Sequence, residues 1–195
     1  GFRSLLLVAG EHPKFVSGGY VQDCIRQCLC HMPSILIEIA PMETEDYRPI
    51  VEAGSEGVVV YQETYHRETY RDMHPHGPKK DFDWRLDSVE RGYKAGFRRL
   101  GIGALFGLYD WRHEALALAA HAQHLARRCC NAQLSISFPR MRPAIGEFQP
   151  EARNIPDDRD LVQLISVLRL FLPHAAFVLS TRESARLRDG LFSLG

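Results

Sequence analysis

Six short apolar runs recur along the chain, at Leu5–Ala9, Ile35–Ile39, Val58–Tyr61, Leu100–Leu105, Leu134–Phe138 and Ala176–Leu179. Apolar residues that follow one another without polar alternation belong to strands covered on both faces, as in parallel sheets. Between these runs the hydrophobic spacing becomes helical. Gly19–Cys30 reads as a helix, and Glu45–Ala53 and Val89–Ala95 are each closed by a glycine, Gly54 and Gly96, the residue that most readily ends a helix. Trp111–Arg128 is rich in Ala and Leu, with Leu116, Ala120 and Leu125 as its expected inward stripe. Asp157 or Asp158 is placed to cap a helix whose face includes Leu161, Leu164, Leu168 and Phe171. Ser180-Thr181-Arg182-Glu183 has the spacing of a capping box with Ser180 as the N-cap. Thr64–Arg85 and Pro139–Pro156 read as two long polar loops, the first rich in His, Pro and Lys.

Strands alternating with helices predict an α/β fold with a parallel sheet. The spacing suits a barrel or an open doubly wound sheet. The first strand is followed by Ala9-Gly10-Glu11-His12-Pro13, not by Gly-x-Gly-x-x-Gly, which weakens the dinucleotide-fold alternative. About six strands fall short of the eight of a complete barrel. The expectation is one partial, truncated TIM-like barrel domain over residues 1–195 with outer helices. The chain starts without Met, close to a strand, and stops at Leu194-Gly195, so it reads as a piece of something longer.

Composition narrows the function classes. Basic and acidic residues number 24 each, so no basic face for nucleic acid is implied. No apolar run approaches the roughly 18–20 residues of a membrane-spanning helix, and no signal-peptide pattern opens the chain. Five cysteines in a chain of this size suit reduced thiols in the cytoplasm better than a disulfide framework.

Candidate chemistry gathers where the predicted strands end, the place where barrels put their sites. The third strand runs straight into Gln62-Glu63-Thr64-Tyr65-His66. Around it the other strand ends bring Glu11 and His12, Glu43 and Glu45, Gly103 and Asp110, Ser137, Arg140 and Arg142, and Ser180, Thr181 and Arg182. Carboxylates can hold an ammonium group or a ribose diol, and arginines can grip a carboxylate with two N–H groups. Alone, each of these could be a cap or a surface ion pair; five or six together point to a ligand site. Cys24, Cys28 and Cys30 match no standard cluster spacing: on a helix Cys24 and Cys28 share a face and Cys30 points away. Cys129-Cys130 reads as structural. His121 and His124 are spaced to reach one metal but have no third ligand near, so both are expected at the surface.

Taken in order, these motifs resemble the radical S-adenosylmethionine tyrosine lyases, among them the 2-iminoacetate synthases of thiamine biosynthesis. The phrases that carry the resemblance are Leu5–His12, Val60–His66, Gly77–Leu86, Gly101–Arg112, Ser135–Pro143 and Leu179–Glu183. The resemblance implies a TIM-like barrel that binds S-adenosylmethionine and a [4Fe-4S] cluster, generates a 5′-deoxyadenosyl radical and breaks the Cα–Cβ bond of tyrosine to give p-cresol and 2-iminoacetate (dehydroglycine). It also implies thiazole synthase and a flavodoxin- or ferredoxin-type reductant as partners. By position, Glu11 resembles the residue that holds the amino group of S-adenosylmethionine. Gln62 and Glu63 would meet its ribose or the substrate, and Gly103 and Ala104 would pass its adenine. Ser137, Arg140 and Arg142 are the candidates for a carboxylate of tyrosine or cofactor. The family's Cys-x-x-x-Cys-x-x-Cys loop is absent, because it precedes the point where this chain begins, so the metal ligands are expected outside it and the chain alone is expected to be inactive. Rival readings are the tyrosine lyase of [FeFe]-hydrogenase maturation, a non-radical metal-dependent barrel hydrolase or aldolase using His12, Glu63 and His66, and a non-catalytic half-barrel interaction module.

Overall fold

The computed structural model describes residues 1–10, 18–142 and 148–194. Six parallel strands form one sheet: β1 (Ser4–Val8), β2 (Ser34–Glu38), β3 (Gly57–Glu63), β4 (Arg99–Ala104), β5 (Gln133–Ser137) and β6 (Ala176–Val178), lying side by side in chain order. Among the described residues seven α-helices lie between the strands, α1 (Gly18–Leu29), α2 (Thr44–Glu52), α3 (Arg67–Met73), α4 (Phe82–Leu86), α5 (Ser88–Ala95), α6 (Trp111–Arg128) and α7 (Asp158–Phe171), and α8 (Ala185–Phe192) follows β6. This is the expected partial barrel.

The core lies between the helices and one face of the sheet. Ile35, Ile37, Val58, Val60, Leu100, Ile102 and Ile136 are all buried there, and each such side chain contributes about 1.5–3 kcal/mol by leaving water. Gly92 lets α5 approach β3 closely, since a Cβ at that position would stand 2.8 Å from a Val58 methyl.

The opposite face, concave in a barrel, carries the alternate residues of each strand. Its lower end is polar: Arg99 donates to Ser34 Oγ at 2.7 Å, and Ser34 donates to Glu56 at 2.8 Å. At its upper end Tyr61, Gly103, Ser137 and Val178 stand in register across four strands.

Several local expectations change. Thr64–Arg85 is not one loop: it folds into α3, a 3₁₀ turn at Pro78–Lys80, and α4. These units are capped by His66, whose ring accepts from Thr69 N, and by Asp81, whose carboxylate accepts from Trp84 N. The inward stripe of α6 is Trp111, Ala115, Leu118, Ala122 and Leu125, while Leu116 is 75% exposed. On α7 Phe171 is exposed, whereas Leu161, Leu164 and Leu168 are buried as expected. The expected Asp157 cap is present as a capping box with Asp160. Ser180 is not a helix cap; α8 starts later, with Ser184 accepting from Leu187 N.

Candidate functional site

The site is built at the carboxyl ends of the strands. β3 and β4 end level, Glu63 beside Ala104, with a register shift between them at Tyr61 and Glu63. Glu63 takes φ 69°, the one positive φ at a non-glycine position among the described residues. That conformation is uncommon for a side-chain-bearing residue, and it turns the end of the strand so that Gln62 and Glu63 serve different surroundings. Gln62 is buried and donates to the Phe82 carbonyl at 3.2 Å, tying the strand to α4. Glu63 instead lines a cavity of about 200 Å³ together with Val8, Gly10, Glu38, Tyr61, Lys79 and Arg85.

Charge in that cavity is arranged around a buried cation. Arg85, 6% exposed, donates through Nε to the Tyr61 carbonyl at 2.8 Å and reaches Glu63 at 3.7 Å. Glu38 faces both: burial, then the nearby Glu63 charge, raises its pKa, and the guanidinium of Arg85 opposes them. Burial also raises the Tyr61 phenol, against a hydrogen bond from Ser137 and the positive charge of Arg182. Space over the sheet comes from two glycines in β4. A Cβ on Gly103 would lie 2.8 Å from the Ser137 carbonyl and 3.0 Å from the Tyr61 ring, and one on Gly101 would lie 2.7 Å from Val59.

The expected residues separate into groups. Glu63, Gly103 and Ser137 lie together on the concave face. Gln62 is next to Glu63 in sequence but points into the α4 contact. Ala104 is fully buried in the core, so its side chain does not reach the mouth. Arg140 and Arg142 do hold a carboxylate, but it is the chain's own Glu183. Arg140 also donates to the Pro156 carbonyl at 3.1 Å and pairs with Asp158 at 2.8 Å, so all three of its guanidinium nitrogens are engaged. Glu11 and His12 lie outside the described residues. Sequence reasoning missed Glu38 and Arg85: Glu38 closes a strand and reads as part of it, and Arg85 sits in what looks like loop.

Behind the site, Thr64 and Tyr65 are anchored to α6 by Glu114, a fully buried carboxylate. It accepts from Thr64 Oγ1 and from Tyr65 N at 2.7 Å, and burial raises its pKa despite these bonds. Tyr65 Oη in turn meets His121 Nδ1 at 2.8 Å, so His121 is not the surface residue expected. Burial pushes its pKa down to about 4. His124 is exposed and pairs with Glu90 at 3.2 Å. His66 stacks on Tyr109 with 3.7 Å between ring centres.

Among the described residues, no three His, Cys, Asp or Glu side chains are grouped so as to hold a metal ion, and all five cysteines are free thiols. The residues present therefore do not fit an iron–sulfur cluster. S-Adenosylmethionine is a different matter: its ammonium and sulfonium charges and its ribose hydroxyls suit the Glu38 and Glu63 carboxylates, and the glycine-lined face above β4 leaves room for a flat ring.

Parallel strands in chain order, helices on one face and a polar mouth at the strand ends define part of an α/β-barrel enzyme. Residues 137–195 match the Biotin and Thiamin Synthesis associated domain. Over all 195 residues the chain is similar to 2-iminoacetate synthases: it is 40% identical to that of Escherichia coli (strain K12) and 38% identical to that of Salmonella typhimurium, spanning 51% of each. The chain thus covers about half the length of these relatives. Among solved structures it superposes on HydG, a maturase of the [FeFe]-hydrogenase, with a TM-score of 0.92 at 35% identity, covering 100% of this chain and 44% of that one. HydG from Carboxydothermus hydrogenoformans gives 0.89 at 34%, covering 99% and 45%. Methylornithine synthase PylB shares the fold, with a TM-score of 0.72 at 20% identity over 91% of this chain and 50% of that one. The resemblance carried by the strand-end motifs is thereby borne out.

Proposed function

We propose that this chain is the cofactor- and substrate-binding half of a 2-iminoacetate synthase, a radical S-adenosylmethionine lyase that cleaves tyrosine to 2-iminoacetate and p-cresol for thiamine biosynthesis. The observation that carries this reading is 40% identity to a 2-iminoacetate synthase along the entire chain. In such an enzyme the bound cofactor and cluster supply a hydrogen-abstracting radical. The residues of this chain bind, orient and exclude water. Glu63, with Glu11, is assigned to S-adenosylmethionine, Gln62 to holding the end of β3 against α4, and Gly103 and the backbone of Ala104 to the approach of the cofactor's adenine. Ser137, in register with Gly103 and Tyr61 on the concave face, is assigned to the substrate. Arg140 and Arg142, clasped on Glu183, are assigned to shaping the substrate end of the mouth. The cluster ligands are assigned to sequence outside this chain.

The HydG superposition supports a second reading, the related tyrosine lyase of hydrogenase maturation. The match of residues 137–195 to a domain named for biotin and thiamin synthesis favours the first. Thiazole synthase and a flavodoxin- or ferredoxin-type reductant follow as proposed partners. The cytoplasm follows as the proposed location, in keeping with five free thiols; among the described residues no helix is long and apolar enough to cross a membrane.

The test is made on the full-length protein, reduced and supplied with S-adenosylmethionine and tyrosine under anaerobic conditions. Production of p-cresol with dehydroglycine or its hydrolysis product is expected, and Glu63→Gln should lower kcat/KM by roughly a hundredfold, the scale of losing a charged hydrogen-bonding partner at a site. A further cluster motif in the full-length sequence beyond Gly195 would favour the maturase reading. No tyrosine cleavage would overturn both. The 195-residue chain alone, given iron and sulfide, is expected to form no stoichiometric iron–sulfur chromophore.

A further inference from the structure

We propose that Arg85 is the positioning residue of the acidic wall of the cavity, fixing the orientation of Glu63 and setting a buried positive charge between Glu63 and Glu38. The identity of the ligand rests on the function proposed above; the role of Arg85 does not.

Arg85 arrives from α4, a five-residue helix in the polar segment after β3, yet its side chain is among the most deeply buried charges in the molecule. A buried guanidinium is costly unless its N–H groups find acceptors. Here the acceptors stand on both sides of one backbone kink. Nε takes the carbonyl of Tyr61, two residues before the turn, and a terminal nitrogen faces the carboxylate of Glu63, whose backbone makes the turn. A left-handed glutamate persists only where its surroundings hold it. Clamping the preceding carbonyl and the side chain together does that, and aims the carboxylate along the cavity wall.

The same cation, carried on α4, lines the cavity together with Glu38 of β2. The groups that surround Glu38 are Tyr61 and Glu63 on β3, Arg85 on α4 and Lys79 on the 3₁₀ turn. Two glutamates sharing a small cavity resist being charged together. Arg85 is the buried group that offsets this, and a guanidinium suits the task because its separate N–H directions reach a carbonyl and a carboxylate at once. A lysine would keep the charge and lose that fork.

The experiment titrates the Glu38 carboxyl by ¹³C NMR in the whole chain, for the wild type, Arg85→Lys and Arg85→Gln. It pairs the titrations with calorimetric binding of S-adenosylmethionine and, separately, of tyrosine at mildly acidic and at neutral pH. Arg85→Gln should titrate Glu38 at higher pH than the wild type and bind roughly tenfold more weakly in acid, with part of the loss recovered toward neutrality. Arg85→Lys should leave Glu38 close to the wild type yet bind roughly tenfold more weakly at both pH values, because orientation is lost while charge is kept. A loss confined to S-adenosylmethionine would place Glu63 against the cofactor, and a loss confined to tyrosine would place it against the substrate. An unmoved Glu38 in Arg85→Gln, or undiminished binding in Arg85→Lys, overturns the inference. Should Arg85→Gln fail to fold, Arg85→Lys alone decides it by the same criterion. A wild type that binds neither ligand, with Glu38 still shifting on Arg85→Gln, sinks the proposed function and leaves the role of Arg85 standing.

Discussion

His121 shows how one buried side chain governs a stretch of the pH–stability curve. Its ring meets Tyr65 Oη, and burial lowers its pKa from 6.5 to about 4. In the unfolded chain the imidazole takes up a proton below its ordinary value, while the folded protein resists until far lower pH. The unfolded state therefore binds more protons between about pH 6.5 and about 4, and stability falls as pH drops through that window, by up to about 3 kcal/mol from this residue. Glu114 acts in the opposite sense. Its folded pKa is raised, so its contribution is full below the unfolded value and is lost as pH rises through the folded one. Urea unfolding of the wild type and His121→Gln at pH 4.5 and pH 7, on the order of the two ends of this window, separates the two effects: the substitution should flatten the acid decline, and an unchanged decline would refute the assignment. Residues of this kind were the least legible in the sequence. His121 lies on a helix whose neighbours are small, and only the fold reveals that Tyr65, 56 residues earlier, reaches it. Arg140 looked like a hand extended to a ligand because Glu183, 43 residues later, was not visible as its partner.

Elements were far easier to read than side-chain pairings, for a physical reason. All six strands fall within a residue or two of their apolar runs, because a strand covered on both faces has little place for polar groups except at its ends. The offsets follow the same logic: Ser34, Arg99 and Gln133 pair in the ladder but are polar, since they line the open end of the concave face. Helices fared less evenly. Alanine-rich α6 has more than one plausible stripe, and Thr64–Arg85 hid short helices begun by His66 and Asp81, caps whose role depends on the backbone they meet. Within the sheet, β4 is the element whose sequence most directly shapes the site. Its glycines keep the concave face open, and Gly103→Ala would press a methyl group against the Ser137 carbonyl and the Tyr61 ring. Overpacking of this sort costs about 1–3 kcal/mol. A lower thermal midpoint, with weakened binding of S-adenosylmethionine or tyrosine, is the expected result; a midpoint and affinity equal to the wild type would show that the sheet can yield there.

At the scale of the molecule, the described sheet has two edges, β1 and β6. Leu6, Val8 and Val178 are exposed beside them, and edge strands with apolar neighbours invite pairing between chains. The 195-residue chain should therefore self-associate with rising concentration in sedimentation experiments, and Val8→Lys with Val178→Lys should suppress it; a monomer at all concentrations would contradict this. The order of the strands has a further consequence, for how the chain is made. Each strand lies beside the one synthesised just before it, joined by a connection that crosses no other strand. A chain emerging from the ribosome can thus add one β–α unit at a time to a growing edge, without waiting for a distant partner to appear, and domains do fold progressively during synthesis. The mouth is assembled last: Glu38 and Glu63 are in place early, and the clasp of Arg140 on Glu183 closes only when the end of the sheet has emerged.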